Sequence, residues 1–483
     1  MNQKPFVLPL ETPMGKYFYE VNRNEIVAVN DDLFECIKKA LSSEDGNLLD
    51  VPENVMAQYK ELRECGYLSS NHVQEVIHPA TESLPELLDR GLEKITLQVT
   101  QGCNLRCKYC IYSENSNHEQ RSHSSNTMSL ETAKKAILFY REHSRDKDRA
   151  IIGFYGGEPL LAFPLIIESV KYAEEIFAGV DISFNITTNA TLLTDEIIDF
   201  LLDHHFKLTF SLDGPKEVQD KNRIFANGSG SYDMVMRNIN RIYEKDPEAL
   251  KGALVSMVID QEQGYRDILP LFDEPALKNL DLVFTMVEED STIKMPSPQY
   301  SEEFNYEMFV AFVDRIRGSA EVSEDKYNKL MVETIKAVDK ELDSFARIVL
   351  TPSTAPSGPC IPGKLKLFID CFGNFYPCEK VDENEGAVIG TVDTGFDIEK
   401  VSKVLNVGSI GADDCKSCWA FSLCNICVKR SSENKSLSLE RRRKSCQETR
   451  SSAYGSIMDK IVLFEDKRHM RKMNRLSRGG VRL

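Results

Sequence analysis

Between Ile95 and Val287 the chain alternates six short apolar runs with amphipathic stretches of helical period, a rhythm that few soluble architectures accommodate. The runs are Ile95 to Thr100, Ala150 to Tyr155, Asp181 to Thr187, Lys207 to Leu212, Ala253 to Ile259 and Leu280 to Val287. Helical patterns separate them near Leu130 to His143, Leu165 to Phe177, Asp195 to Leu202, Tyr232 to Tyr243 and Tyr265 to Phe272. This predicts an α/β fold in which parallel strands form a partial or complete barrel covered by helices. Its active site belongs at the C-terminal ends of the strands.

At 483 residues the chain exceeds what one core organises, so further domains are expected. Ahead of the barrel pattern, Tyr17 to Val21 and Ile26 to Val29 read as a hairpin. Apolar residues then recur at helical spacing at Leu33, Cys36, Ile37 and Leu41, and at Val55, Tyr59, Leu62 and Tyr67, with Gly66 closing the second helix. The expectation is a small winged unit with three helices, followed by a polar linker from Ser70 to about Glu93 that contains Pro79 and Pro85. Beyond the barrel, Ser301 to Ile348 is polar and helix-forming, and it bridges to a cysteine-rich region with few long periodic segments.

The formal net charge of −16 argues against a general nucleic-acid binder. A basic cluster at Lys467, Arg468, Arg471, Lys472, Arg475, Arg478 and Arg482 reads as a solvated helical tail. Met1 to Leu10 lacks the pattern of a signal peptide, and the most apolar window, Ala150 to Val170, is broken by Gly156, Gly157, Glu158, Pro159 and Pro164. The expectation is a soluble cytoplasmic protein with no membrane and no nucleic-acid partner. In that compartment thiols stay reduced, so the thirteen cysteines point to metal rather than disulfides. Cys36 and Cys65 are isolated, three cysteines lie between Cys103 and Cys110, and eight lie between Cys360 and Cys446, which implies two metal-bearing regions.

Cys103, Cys107 and Cys110 form a C-x3-C-x2-C loop after the first barrel run. A 4Fe-4S cubane usually takes four cysteines, so three leave one iron open to an external ligand. A structural zinc site would want four closed ligands, and no nearby His completes this set.

This loop, with the aromatic Tyr109 before its last cysteine, resembles the defining motif of the radical S-adenosylmethionine (SAM) superfamily. The resemblance implies a partial (β/α)6 TIM-like barrel and a cluster whose open iron is chelated by SAM, which is cleaved to a 5′-deoxyadenosyl radical. Later loops are similar to further family segments. Gly156-Gly157-Glu158 resembles the segment that contacts the SAM amino group. Thr188 and Asn189 resemble the ribose-contacting segment, although Ala190 stands where glycine is common. Ser211, Asp213 and Arg223 resemble the stretch that reaches the SAM carboxylate.

The C-terminal array, Cys360, Cys378, then Cys415-x2-Cys418-x5-Cys424-x2-Cys427 and Cys446, resembles the SPASM domain, an extension with two auxiliary 4Fe-4S clusters, and departs from zinc-ribbon spacing. The resemblance implies three clusters in all. It assigns Cys360, Cys378 and Cys427 to a nearer auxiliary cluster, and Cys415, Cys418, Cys424 and Cys446 to a farther one. The final gap has two residues where the family more often has three. Cys371 is an extra thiol, either the nearer cluster's fourth ligand or a spare that leaves an iron open.

The N-terminal unit is similar to recognition elements that capture a leader peptide as an added strand. It lacks the basic helix of a winged-helix DNA-binding unit. The resemblance thus implies residues 1–80 as a recognition element, 81–300 as the radical SAM core, 301–350 as a bridging helical region, 351–450 as the SPASM domain and 451–483 as a basic helical tail. It implies a maturase that installs crosslinks, Cys thioethers first among them, in a ribosomally made precursor peptide, served by a reductant such as flavodoxin or ferredoxin. Carbon–carbon crosslinking and anaerobic formylglycine formation in sulfatases are the alternatives within the family, and an iron–sulfur electron carrier is the alternative outside it.

Overall fold

The computed structural model describes residues 4–43, 48, 50–110, 124–289, 292–317, 322–323, 326–343, 348–356, 360–381, 383–433 and 436–478. At the N-terminus, β1 (Val7–Thr12), β2 (Gly15–Glu20) and β3 (Glu25–Val29) form an antiparallel sheet in that order. The expected hairpin is β2–β3. The additional strand β1 contains Pro9, which counts against a strand in sequence but is tolerated at a sheet edge, where one face of the backbone has no partner to lose. Two helices, α1 (Asp31–Ser42) and α2 (Glu53–Glu64), pack on one face through Leu33, Cys36, Ile37, Val55 and Tyr59. Asn30 caps α1 by accepting from the Leu33 N–H, and Gly66, at φ +83°, ends α2.

The expected third helix of this unit is not found among the described residues. The next helix, α3 (Leu84–Arg90), packs instead into the barrel core through Leu84 and Leu88. The supposed linker is therefore structured: Leu84, Leu88 and Leu92 recur at helical spacing and are buried, and Glu75–Val76 pairs in parallel with Ser353–Thr354.

Strands β4 (Ile95–Thr100), β5 (Arg149–Gly156), β6 (Asp181–Thr188), β7 (Lys207–Ser211), β8 (Leu254–Ile259) and β9 (Asp281–Met286) run parallel, each beside the next. Helices α4 (Leu130–His143), α5 (Phe163–Ile176), α6 (Asp195–Asp203), α7 (Lys216–Asn222) and α8 (Tyr232–Lys245) cover them. The stretch expected as a helix after β8 is a 3-10 helix, Arg266–Asp273, with Pro270 inside it, where the ring removes an α-helical hydrogen bond.

Among the described residues the sheet does not close on itself. Beyond β4, β10 (Leu367–Ile369) joins in parallel, and β11 (Asn374–Tyr376), β12 (Gly390–Thr391) and β13 (Gly395–Phe396) extend it antiparallel to ten strands. The cysteine-rich region is thus built onto the first barrel strand. A helix at Leu439–Arg478 then crosses back, so that Ile457 and Ile461 pack under Leu10, Tyr17, Tyr19 and Val21 on the second face of the N-terminal sheet. The backbone of the basic tail is helical to Arg478, and its side chains lie outside the described residues. Among the described residues no helix is long and apolar enough to cross a membrane.

Candidate functional site

Every residue of β4 is buried, with Ile95, Leu97 and Val99 in the hydrophobic core. Alternation sends Thr96, Gln98 and Thr100 to the other side. The loop after Thr100 carries Cys103, Cys107 and Cys110, at the C-terminal end of the parallel sheet. Two backbones fix that loop. Leu105 bridges to Phe225, the Arg106 N–H donates to the Ile224 carbonyl at 2.7 Å, and the Lys108 N–H to that of Asn222 at 3.1 Å. From the other side, Gly157 and Glu158 donate their N–H groups to the carbonyls of Thr100 (2.9 Å) and Gly102 (2.8 Å).

This approach explains the two glycines. A Cβ on Gly156, at φ +150°, would lie 2.1 Å from the Thr100 oxygen, and one on Gly157 would lie 2.2 Å from the Gly102 oxygen. In the fold they let β5 close on the cysteine loop.

Glu158 is buried, 1% exposed, and organises the end of β6. Its carboxylate accepts from Thr188 Oγ1 and the Asn189 N–H, both at 2.7 Å, and from the Leu160 N–H at 3.1 Å. Burial pushes its pKa up to about 7 against those hydrogen bonds. Asn189 in turn donates to Asn104 Oδ1 at 2.9 Å and toward Cys103 Sγ at 3.9 Å, and Asn104 donates to Thr191 Oγ1 at 2.8 Å. Ala190 adopts the left-handed conformation, φ +60°, that glycine would take at no cost. Asn104 and Thr191 carry no signal in an isolated sequence.

On the opposite flank Tyr109 donates its hydroxyl to Asp213, and Arg223 Nε lies 2.9 Å from the same carboxylate. The second oxygen of Asp213 accepts from the Val258 N–H at 2.9 Å. Ser211 ends β7 on this flank. Burial raises the Cys103 thiol to about 12 and the Cys107 thiol to about 11, the latter opposed by Arg223. Buried thiols of this kind ionise when a metal replaces the proton.

Cys371 stands apart from the thiols nearest it in sequence. It follows β10, its N–H donates to Gln98 Oε1 at 3.1 Å, and burial, then Asp370 and Glu383, push its thiol up to about 12. Glu383 also accepts from Gln98 and Gln101, two residues before Cys103. The visible sequence signal for this group is Gln98, an amide side chain in a fully buried strand whose other polar residues are threonines. Cys378, by contrast, is raised by burial, with Glu379 and Cys427 adding to it, and Lys366, paired with Glu379 at 2.9 Å, lies close to both Cys378 and Cys360.

In the farther group burial raises Cys415, Cys424 and Cys446. Cys418 adds to all three, and Arg442 opposes all three. Among the described residues no three His, Cys, Asp or Glu side chains converge on a single ion. A cubane spreads its cysteines over separate irons, so loosely gathered thiol groups suit it better than they suit zinc.

Residues 97–268 match the family model of the Radical SAM superfamily. An uncharacterized protein of Methanocaldococcus jannaschii is 37% identical over 142 residues, covering 29% of this chain and 45% of that protein, so the chain spans less than half of it. The cysteine-type anaerobic sulfatase-maturating enzyme of Clostridium novyi is 23% identical over 371 residues, 71% of this chain and 89% of that one. Among solved structures, anSMEcpe with bound AdoMet, which is SAM, superposes with a TM-score of 0.54 at 19% identity, covering 76% of this chain and 98% of that one. The same protein with AdoMet and the Cp18Cys peptide superposes at 0.53 with 20% identity and the same coverage. With its open parallel sheet, its three-cysteine loop at the strand ends and this family match, the chain carries a radical SAM domain at residues 97–268.

Proposed function

We propose that the chain is a maturase that forms Cys thioether crosslinks in a ribosomally made precursor peptide. The observation that carries this reading is the combination, in one chain, of the Cys103, Cys107 and Cys110 loop with a second group of thiols built onto the same sheet and a separate N-terminal sheet. Cys103, Cys107 and Cys110 would hold the cluster that, with SAM, supplies a 5′-deoxyadenosyl radical. Cys360, Cys378 and Cys427 would hold the nearer auxiliary cluster and Cys415, Cys418, Cys424 and Cys446 the farther one. Gly156, Gly157, Glu158, Thr188, Asn189, Ser211, Asp213, Arg223 and Tyr109 line the SAM side.

Within this reading, Glu158 holds the β6 loop to the cysteine loop and presents negative charge to an ammonium. Asp213 fixes Tyr109 and Arg223. Cys371, beside Gln98 and Glu383 rather than with Cys378, is a spare thiol at the strand ends, which leaves the nearer cluster with three cysteines and room for a substrate sulfur. Among the described residues β3 is an edge strand of the N-terminal sheet, and an extended leader would add beside it. A reductant such as flavodoxin or ferredoxin delivers electrons. Forming a thioether removes one hydrogen from sulfur and one from carbon.

A second reading, formylglycine formation in a sulfatase, is favoured by the extended match to the Clostridium novyi enzyme. One anaerobic experiment separates them. Reconstituted, dithionite-reduced protein should release 5′-deoxyadenosine from SAM, and Cys107→Ala should abolish this; no release from an iron-loaded chain overturns the enzymatic reading. With a cysteine-bearing precursor peptide, the thioether reading expects loss of two hydrogens with consumption of a thiol. Formation of an aldehyde that a hydrazide traps, with release of the sulfur, supports the sulfatase reading instead.

A further inference from the structure

Helix Leu439–Arg478 begins with three consecutive arginines after Glu440, and the fold gives two of them opposite surroundings. Arg443 is solvent-facing and paired with Asp414 at 2.6 Å. Arg442 is 2% exposed and ranks among the largest fully buried side chains. Its guanidinium approaches the Ile426 carbonyl (3.4 Å) and Ser431 Oγ (3.5 Å), and Nη2 points to Cys415 Sγ at 4.0 Å. Its Nε–H meets no acceptor among the described residues, and none of the described carboxylates pairs with it.

A buried cation without a counter-anion costs several kcal/mol, so one retained in a fold needs negative charge close by. The groups around Arg442 that can supply it are the thiols of Cys415, Cys424 and Cys446, on each of which it acts. A cluster bound by four thiolates is anionic and becomes more so on reduction. The orphaned Nε–H and the uncompensated charge therefore fit an iron–sulfur cluster better than four neutral thiols. At the nearer group the corresponding cation, Lys366, is already neutralised by Glu379.

We propose that Arg442 sets the reduction potential of the farther auxiliary cluster, holding it above that of the same cluster without the buried cation. It acts as a positioning residue, through charge and N–H···S donation to Cys415. Stabilising the more negative, reduced state makes this cluster the easier of two otherwise similar auxiliary clusters to reduce, and so directs electrons leaving the substrate toward it. The inference rests on the cluster assignment proposed above.

The test is a potentiometric titration of the anaerobically reconstituted full chain followed by electron paramagnetic resonance, with the farther cluster's signal identified by its loss in Cys424→Ala. Arg442→Gln should lower the midpoint so that the reduced-to-oxidised ratio at fixed potential falls at least tenfold, a shift of about 59 mV for one electron. Arg442→Lys, which keeps the charge, should remain within that range of the wild type. An unmoved midpoint in Arg442→Gln at full iron content overturns the inference, and so does an equal drop in Arg442→Lys. If Arg442→Gln loses that cluster's iron, retention with a wild-type midpoint in Arg442→Lys supports the inference, and loss in both overturns it in favour of packing. A wild-type iron count near four per chain overturns the cluster assignment itself.

Discussion

At the scale of single residues, close backbone approach and buried charge make the sharpest demands. Gly156 sits where a side chain would strike the Thr100 carbonyl, so Gly156→Ala must push β5 away from the cysteine loop. The expected outcome is a loss of stability of about 1–3 kcal/mol together with fewer irons retained after reconstitution, read by thermal melting and iron assay. Full iron at an unchanged melting temperature would contradict the packing role given to this glycine.

Glu20 is the second case. It is fully buried in the N-terminal sheet, accepts the Leu68 N–H at 2.7 Å, and burial pushes its pKa from 4.5 up to about 7. The folded chain therefore keeps this proton to a higher pH than the unfolded chain, and ionisation costs stability as pH rises from about 4.5 to about 7. Glu20→Gln should remove this component, so the difference in melting temperature between variant and wild type should grow across that window. A constant difference from pH 4.5 to pH 7 would show that Glu20 is ionised throughout.

At the scale of elements, the C-terminal helix joins the cysteine-rich region to the N-terminal sheet. Cys446 lies near its start, while Ile457, Ile461 and Glu465 meet the sheet further along, where Glu465 accepts from Thr12 and from the Tyr17 hydroxyl (2.7 Å). Ile457→Ala should cost about 2–5 kcal/mol through the cavity it leaves, and the loss should fall on the N-terminal unit. The expected signature is weaker binding of a precursor peptide at unchanged 5′-deoxyadenosine release in its absence. A parallel loss of both would mean that the helix supports the barrel directly. Removing residues 1–71 would therefore expose Ile457, Ile461 and the partly buried Trp419 as well as delete the N-terminal unit.

At the scale of the whole molecule, the ten-stranded sheet makes the barrel and the second thiol group one body, with Leu367–Ile369 paired directly to the strand that precedes Cys103. Three cubanes in that body predict about twelve irons and twelve sulfides per chain. Replacing Cys103, Cys107 and Cys110 with Ala should leave about eight of each, measured by iron and sulfide assay. A remainder near zero would mean that the C-terminal thiols hold no clusters of their own.

Much of this was legible in the chain itself. Six apolar runs of strand length separated by amphipathic stretches admit little besides a parallel sheet under helices, because each strand must be buried on both faces. The C-x3-C-x2-C loop marks its own chemistry, since three thiols within eight residues can serve one cluster without help from distant parts of the chain. Only tertiary structure decided what depends on partners remote in sequence. Gly156 needs the Thr100 carbonyl, Glu158 needs the end of β6, and the placement of Cys371 beside Gln98 follows from the pairing of β10 with β4. Arg442 differs from Arg443 only in the face of the helix it occupies. Charge and spacing read the same in the sequence for both arginines, but burial among thiols, a property of the folded chain alone, gives one of them an electrostatic role.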